Sequence, residues 1–157
     1  MSLDDDDHKF LKLALEEAKK CEPTPTAYCV GCVIVDPRPT PRTVLSTGYS
    51  RELPGNTHAE ENALAKLPKI PQLGALDMYV TMEPCSERLS GNKPCTDRIL
   101  EAVGLIRRVV LGVREPDRFV RCVGVEKLEE HGIVVVRNED VDLEKECLAV
   151  ASRGTEG

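Results

Sequence analysis

The sequence predicts an α/β fold, a three-layer α-β-α sandwich in which a mixed five-stranded sheet lies between helices. Three observations predict it. Short apolar runs alternate along the chain with segments of helical periodicity. The first two runs, 29–35 and 43–47, are separated only by a stretch with three prolines, which makes them a hairpin. The last two, 108–113 and 133–137, are joined by a helical segment long enough for a right-handed crossover, which makes them parallel.

Residues 6–20 carry Leu11, Ala14, Leu15 and Ala18 at helical spacing, behind acidic residues that suit a helix N-terminus. The stretch 21–25 breaks this helix. The run 29–35 is compact and apolar, as expected of a buried strand, and 36–42 is a loop before the second strand, 43–47. Pro54-Gly55-Asn56 is a turn, and Thr57 is suited to cap a helix over 58–66. Residues 75–82 form the third strand and deliver the chain to Pro84-Cys85. A helix over 95–103 follows, with Pro94 near its first turn. After the fourth strand come a helix over 121–131 ending at Gly132, the fifth strand, and a last helix over 140–152. No repeat or linker divides the chain, so one domain over 1–157 is expected, with its core at about 8–152.

The chain has 157 residues, 41% of them hydrophobic and 31% charged, enough for an ordinary globular core. No apolar run approaches the roughly 20 residues that span a bilayer, so no membrane partner is expected. Asp4 to Asp7 near the start do not suit a secretory signal. Seven cysteines, an odd number, do not suggest a disulfide framework, which points to a reducing, cytoplasmic location. A net charge of −6 disfavours nucleic acid as a partner. The charge is uneven, because residues 84–121 hold eight basic and five acidic residues. This stretch is either a salt-bridged surface or a small phosphate site.

His58-Ala59-Glu60, Pro84-Cys85 and Pro94-Cys95 carry the chemistry. His58, Cys85 and Cys95 supply three zinc ligands and leave one tetrahedral position open. A structural zinc site closes all four positions with protein ligands, whereas a catalytic one keeps a position for water. Glu60 is not needed as a ligand and is placed to carry protons between that water and a substrate. This is the pattern of zinc deaminases that attack an amino-substituted heterocycle. His58 and Cys95 each stand where a helix is expected to begin, and the free amides and dipole there stabilise a thiolate. Nine residues, 86–94, separate the two cysteines where many zinc motifs have two to four, which builds a loop beside the metal.

Blander readings compete. A single cysteine is most often a small core hydrophobe, but the joint spacing is far more specific than any one residue. Cys29 and Cys32 could join Cys85 and Cys95 in a closed four-cysteine site. Residues three apart on a strand point to opposite faces, so this needs a distortion that Gly31 would have to provide. Cys21, Cys122 and Cys147 have no partner motif and read as packing residues.

The stretch Tyr79-Val80-Thr81-Met82-Glu83-Pro84-Cys85-Ser86, with Gly91, Pro94-Cys95 and His58-Ala59-Glu60, resembles the pyrimidine deaminases of riboflavin biosynthesis, within the cytidine deaminase-like superfamily. Bacterial members share the enlarged loop, whereas tRNA adenosine deaminases and cytidine deaminases have two residues there. Leu45-Ser46-Thr47-Gly48-Tyr49-Ser50-Arg51-Glu52-Leu53-Pro54-Gly55-Asn56 and Arg88-Leu89-Ser90-Gly91-Asn92-Lys93 are similar to the fungal deaminase domain, and the resemblance covers roughly residues 10–150. It implies a cytidine deaminase-like fold, zinc as cofactor, 2,5-diamino-6-ribitylamino-4(3H)-pyrimidinone 5′-phosphate as substrate, and self-association, here as a homodimer. Bacterial members place Asn-Pro before the first-strand glycine. Ala27-Tyr28 stands there in this chain, so that contact does not carry over. Without a reductase domain after it or a pseudouridine synthase-like domain before it, the chain is expected to be a stand-alone deaminase or an excised domain.

A substrate phosphate needs charge-assisted donors. Arg51, seven residues before His58, and Lys93, two before Cys95, are the candidates, with Asn92 beside them. Asn56 and the backbone at Ala59 and Cys85 are candidates to orient the ring. Two other activities stay open. Deamination of tRNA adenosine or of a free nucleobase is opposed by the 3% aromatic content and the negative charge. A non-catalytic, zinc-stabilised binding module would have no use for Glu60.

Overall fold

The computed structural model describes residues 3–69, 74–83, 94–101, 105–114 and 124–155. Helix α1, Asp5–Ala18, precedes the hairpin of β1, Gly31–Asp36, and β2, Thr43–Tyr49. Helix α2, Ala59–Ala65, leads to β3, Leu76–Met82. Helix α3, Cys95–Glu101, then strand β4, Ile106–Val113, helix α4, Gly124–Glu130, strand β5, Val134–Arg137, and helix α5, Val141–Ala151, complete the order. The five strands form one sheet in the order β2-β1-β3-β4-β5. β1 is antiparallel to both β2 and β3, while β3, β4 and β5 run parallel. All seven residues of β3 are buried, because helices cover both faces of this central strand.

The two faces divide the helices. Phe10, Leu11, Ala14 and Leu15 of α1 and Leu143, Cys147 and Ala151 of α5 pack on Val33, Val35, Tyr79 and Val110. Ala59 and Ala63 of α2, Ile99 of α3, and Val125 and Leu128 of α4 pack on Cys32, Ile34, Met78, Val80 and Leu111. The three-layer sandwich and mixed sheet expected from the sequence are therefore present. Strand β1 begins at Gly31 rather than Cys29. The Cys29 N–H donates to Ala151 O at 2.9 Å and the Val30 N–H to Ser50 Oγ at 2.9 Å, so both leave the ladder. The cap of α2 is His58, not Thr57, whose hydroxyl donates to Leu53 O at 2.8 Å. The predicted helix starts and ends at 121–123 and 102–103 lie outside the described residues.

Glycine decides how closely two helices approach the sheet. A Cβ on Gly31 would lie 1.8 Å from Ala14 O and 2.5 Å from Ala18 N. A Cβ on Gly48 would lie 2.4 Å from Ala59 O and 2.7 Å from Ala63 N. The backbones of α1 and α2 thus rest directly on β1 and β2, and any larger side chain at either position overpacks the contact.

The start of α1 and the beginnings of β3 and β4 are joined by charge. Asp4 and Asp7 form a reciprocal cap at the start of α1, with the Asp7 N–H donating to Asp4 Oδ1 at 2.8 Å and the Asp4 N–H to Asp7 Oδ2 at 3.1 Å. The same Asp7 carboxylate accepts from Tyr79 Oη at 2.6 Å and from Arg108 Nη2 at 2.6 Å. Arg108 also reaches Asp77 at 3.1 Å, and Arg107 pairs with Asp77 at 2.9 Å. Arg98 pairs with Glu61 at 3.3 Å, and Arg114 with Glu83 at 3.3 Å and Glu126 at 3.0 Å. The four described arginines of the basic stretch are therefore ion-paired. Arg88, Lys93, Arg118 and Arg121 lie outside the described residues.

Burial alone would raise the Asp7 carboxyl, but hydrogen bonds from Arg108, Tyr79 and the Asp4 backbone outweigh it and bring the group from 3.8 down to about 2. The folded value lies below the unfolded one. Its stabilisation is complete above pH ~4 and is lost as the pH falls through about 2, and it amounts to about 2 kcal/mol. Asp7→Asn is expected to lower stability at pH 7 by at least about that amount and to flatten the acid loss over that window. Urea denaturation at both ends of the window measures this, and an acid profile identical to wild type would contradict it.

Candidate metal and catalytic site

The site begins with the seating of α2. Gly48 lets this helix lie against β2, and Ser46 Oγ donates to Ala63 O at 2.7 Å from the same strand. The first turn of α2 is thereby held at the edge of the sheet, with His58 extended at its N-cap (φ −99°, ψ 160°). Cys95 opens α3 and is fully buried. The two elements bring His58 Nδ1 within 3.3 Å of Cys95 Sγ, across 37 residues of sequence. In a tetrahedral zinc site with usual Zn–N and Zn–S lengths, a histidine nitrogen and a cysteine sulfur stand about 3.5 Å apart. The pair therefore fits a zinc ion through Nδ1 of His58. The third ligand predicted from sequence, Cys85, lies outside the described residues, as do Asn92 and Lys93.

Glu60 sits in the first turn of α2 and is 4% exposed. Burial pushes the Cys32 thiol up, and the Glu60 charge pushes it further, so the carboxylate lies close to the inner face of β1. Ala59, between His58 and Glu60, is fully buried. A carboxylate in so dry a place can hold a proton and hand it on, which is what a general acid–base residue must do.

Two residues of α2 that the sequence reading missed organise the site. Glu61 Oε1 accepts from the His58 N–H at 3.2 Å, while its other oxygen pairs with Arg98 of α3 at 3.3 Å. One carboxylate thus caps the helix that presents His58 and braces it to the helix that presents Cys95. Its position three residues after the cap was the available signal. Asn62 is fully buried, and its Nδ2 donates to Tyr49 O at 2.9 Å and to Thr57 Oγ1 at 3.1 Å. It clamps both ends of the loop 50–57, which carries Arg51 and Asn56. That signal was hidden, because an asparagine inside a helix usually faces water.

Arg51 adopts a left-handed backbone conformation, φ 63°, and its N–H donates to Thr57 O at 2.6 Å. Its guanidinium Nη2 donates to Glu22 O at 2.9 Å and lies 2.8 Å from Cys21 Sγ. Asn56 is exposed in the turn before Thr57. The cysteines of the rival four-cysteine reading part company: Cys29 Sγ turns to Cys21 O at 3.7 Å, whereas Cys32 faces α2 beside Glu60. Cys21 is not a plain packing residue as the sequence suggested, because it meets Arg51. Cys147 is one, buried in the core under α5, and burial raises its thiol to about 12.

A mixed five-stranded sheet with a histidine and a cysteine converging from two helix starts, and a glutamate two residues past the histidine, defines a zinc deaminase class of domain. The chain belongs to the family of the cytidine and deoxycytidylate deaminase zinc-binding region, whose model matches residues 4–113, and within it to the riboflavin-pathway deaminases. It is 50% identical over 150 residues to a diaminohydroxyphosphoribosylamino-pyrimidine deaminase of Schizosaccharomyces pombe, covering 93% of this chain and 35% of that one. The chain thus spans about a third of that relative's length. A protein of the same description from Buchnera aphidicola is 33% identical over 130 residues, covering 80% of each. A crystal structure of the Aspergillus oryzae Rib2 deaminase in complex with DARIPP superposes with a TM-score of 0.80 at 35% identity, covering 96% of this chain and 92% of that one.

Glu61→Ala removes both the cap and the brace to Arg98. It is expected to cost about 1–2 kcal/mol of stability and to speed the loss of zinc to a chelator. Glu61→Gln, which keeps an acceptor for the His58 N–H, is expected to fall between. Wild-type stability and wild-type metal release in Glu61→Ala would show that the brace does nothing.

Proposed function

We propose that this chain is a zinc-dependent hydrolytic deaminase that converts 2,5-diamino-6-ribitylamino-4(3H)-pyrimidinone 5′-phosphate to the 5-aminouracil product and ammonia. The observation that carries this reading is the 3.3 Å approach of His58 Nδ1 to Cys95 Sγ, with the buried Glu60 two residues further along α2. The substrate choice is supported by the pyrimidine deaminases it resembles and by the DARIPP complex of the Aspergillus oryzae protein.

In this reading His58, Cys85 and Cys95 hold zinc. Bound there, the metal supplies a Lewis acid that lowers the pKa of water from about 15.7 toward 7. Glu60 accepts a proton from the water that adds to the amino-bearing C2. It returns that proton to a ring nitrogen, then takes the second proton from the added hydroxyl as the C=O forms and delivers it to the departing amine, so that C–NH2 and water become C=O and ammonia. Burial of Glu60 keeps this traffic away from bulk solvent. The backbone at Ala59 and Cys85, with Asn56, orients the ring. Arg51 and Lys93, with Asn92, hold the phosphate. A cytosolic homodimer belongs to the same reading and rests on the resemblance and the cysteine usage; light scattering on the zinc-loaded protein measures the oligomer.

Glu60→Gln is expected to keep fold and metal, because the amide replaces no ligand, and to lose at least about 10²–10⁴ in turnover, because it cannot shuttle protons. Ammonia release by protein with one zinc per chain tests this, and near-normal turnover would overturn the role of Glu60. Arg51→Ala and Lys93→Ala are each expected to narrow the preference for phosphorylated over dephosphorylated pyrimidine by about tenfold or more, the worth of one charge-assisted hydrogen bond. If neither variant narrows it, the phosphate is held elsewhere.

A further inference from the structure

The corner between α1 and β1 holds two free cysteines that the deaminase chemistry does not use. Segment 22–28 turns back on itself through an antiparallel bridge between Thr24 and Ala27. This brings its flanking residues Cys21 and Cys29 side by side, with Cys29 Sγ donating to Cys21 O at 3.7 Å and Cys21 Sγ to Glu22 O at 3.5 Å. Both cysteines are buried, at 2% and 0% exposure. Two guanidinium groups close on them. Arg51 Nη2 lies 2.8 Å from Cys21 Sγ and 3.7 Å from Cys29 Sγ. Arg153 Nη2 reaches the carbonyls of Ala18, Lys19 and Cys21 at 3.4, 3.2 and 3.0 Å.

Among the described residues, neither Arg51 nor Arg153 has a carboxylate within ion-pair distance. Two half-buried cations need a counter-charge, and the groups on hand are the thiols. The neighbouring Cys21 thiol, with help from Arg153 and Arg51, brings the Cys29 thiol down to about 6, while Cys29 and burial push the Cys21 thiol up. The early proton belongs to the pair, since the nearest guanidinium nitrogen lies on the Cys21 sulfur. Cysteines that merely pack are surrounded by apolar groups and stay protonated.

We propose that Cys21 and Cys29 form a reactive dithiol that a peroxide closes to a disulfide. The thiolate attacks one peroxide oxygen, the O–O bond breaks, and the leaving oxygen takes a proton and departs as water. The sulfenic acid so formed is attacked by the second sulfur. An S–S bond forms, the S–O bond breaks, and the hydroxyl leaves as water with the second thiol's proton. The sulfur pair loses two electrons and the peroxide gains them. Access runs through segment 22–27, where Glu22, Pro23, Pro25 and Thr26 are exposed.

The test uses the full chain loaded with zinc and hydrogen peroxide as the probe, read by intact mass and non-reducing peptide mapping, so it stands apart from any assay of deamination. The expected result is the loss of two hydrogens, restored by dithiothreitol, with the new bond between the peptides that hold Cys21 and Cys29. Arg51→Met is expected to slow closure at neutral pH by about fivefold or more, because it removes the cation nearest the sulfurs. Recovery of Cys21 and Cys29 as thiols, or their pairing with other cysteines, would overturn the proposal. So would closure of Arg51→Met at the wild-type rate. The mapping needs no variant, so a poorly folded mutant does not protect the idea.

Discussion

The arrangement depends on two helices whose backbones lie directly on the sheet. Gly31 under α1 and Gly48 under α2 leave no room for even a methyl group. Close packing of this kind has steep walls, so it fixes a helix to within a few tenths of an ångström. The position of α2 then sets where His58, Glu60 and Glu61 stand. The position of α1 sets where Asp7 meets Tyr79 and Arg108, and where Cys21 meets Arg51. Side-chain chemistry on both faces is inherited from these backbone contacts.

A buried charge network lies at the beginnings of the parallel strands. Asp77 and Arg108 stand near the beginnings of β3 and β4, and with Asp7 they form a nearly dry ionic network. The carboxyl end of β3 leads in sequence to Pro84-Cys85. There Glu83, just past β3, is held by the Val125 N–H at 3.3 Å and by Arg114. This follows the rule that open α/β sheets place their sites beyond the carboxyl ends of their strands.

The fold was legible because each element carries its own period. The apolar run of β3, the proline-rich break between β1 and β2, and the heptad-like spacing of α1 all survive in the structure. The approach of His58 to Cys95 was legible because both sit at helix starts, where backbone amides make their chemistry predictable. What stayed hidden were contacts between residues distant in sequence. Nothing local in Arg51 tells that its guanidinium turns to Cys21, thirty positions earlier. Nothing in Asn62 tells that it is fully buried and clamps a loop. The start of β1 was misjudged for the same reason, since Cys29 looks like strand until Ala151 takes its N–H.

Arg153 carries a consequence for the order of assembly. It binds the carbonyls that end α1, across 132 to 135 positions of sequence. The β1–β2 hairpin and the crossover from β3 to β4 close over far shorter spans, and the entropic cost of closing a loop grows with its length. A chain made from its N-terminus therefore folds its hairpin and parallel strands while the end of α1 still waits for its partner. The last corner to form is the one where α1, the loop before β1 and α5 meet. On a growing chain that corner stays wet and open until residue 153 emerges, so its two sulfurs are at their most accessible during synthesis.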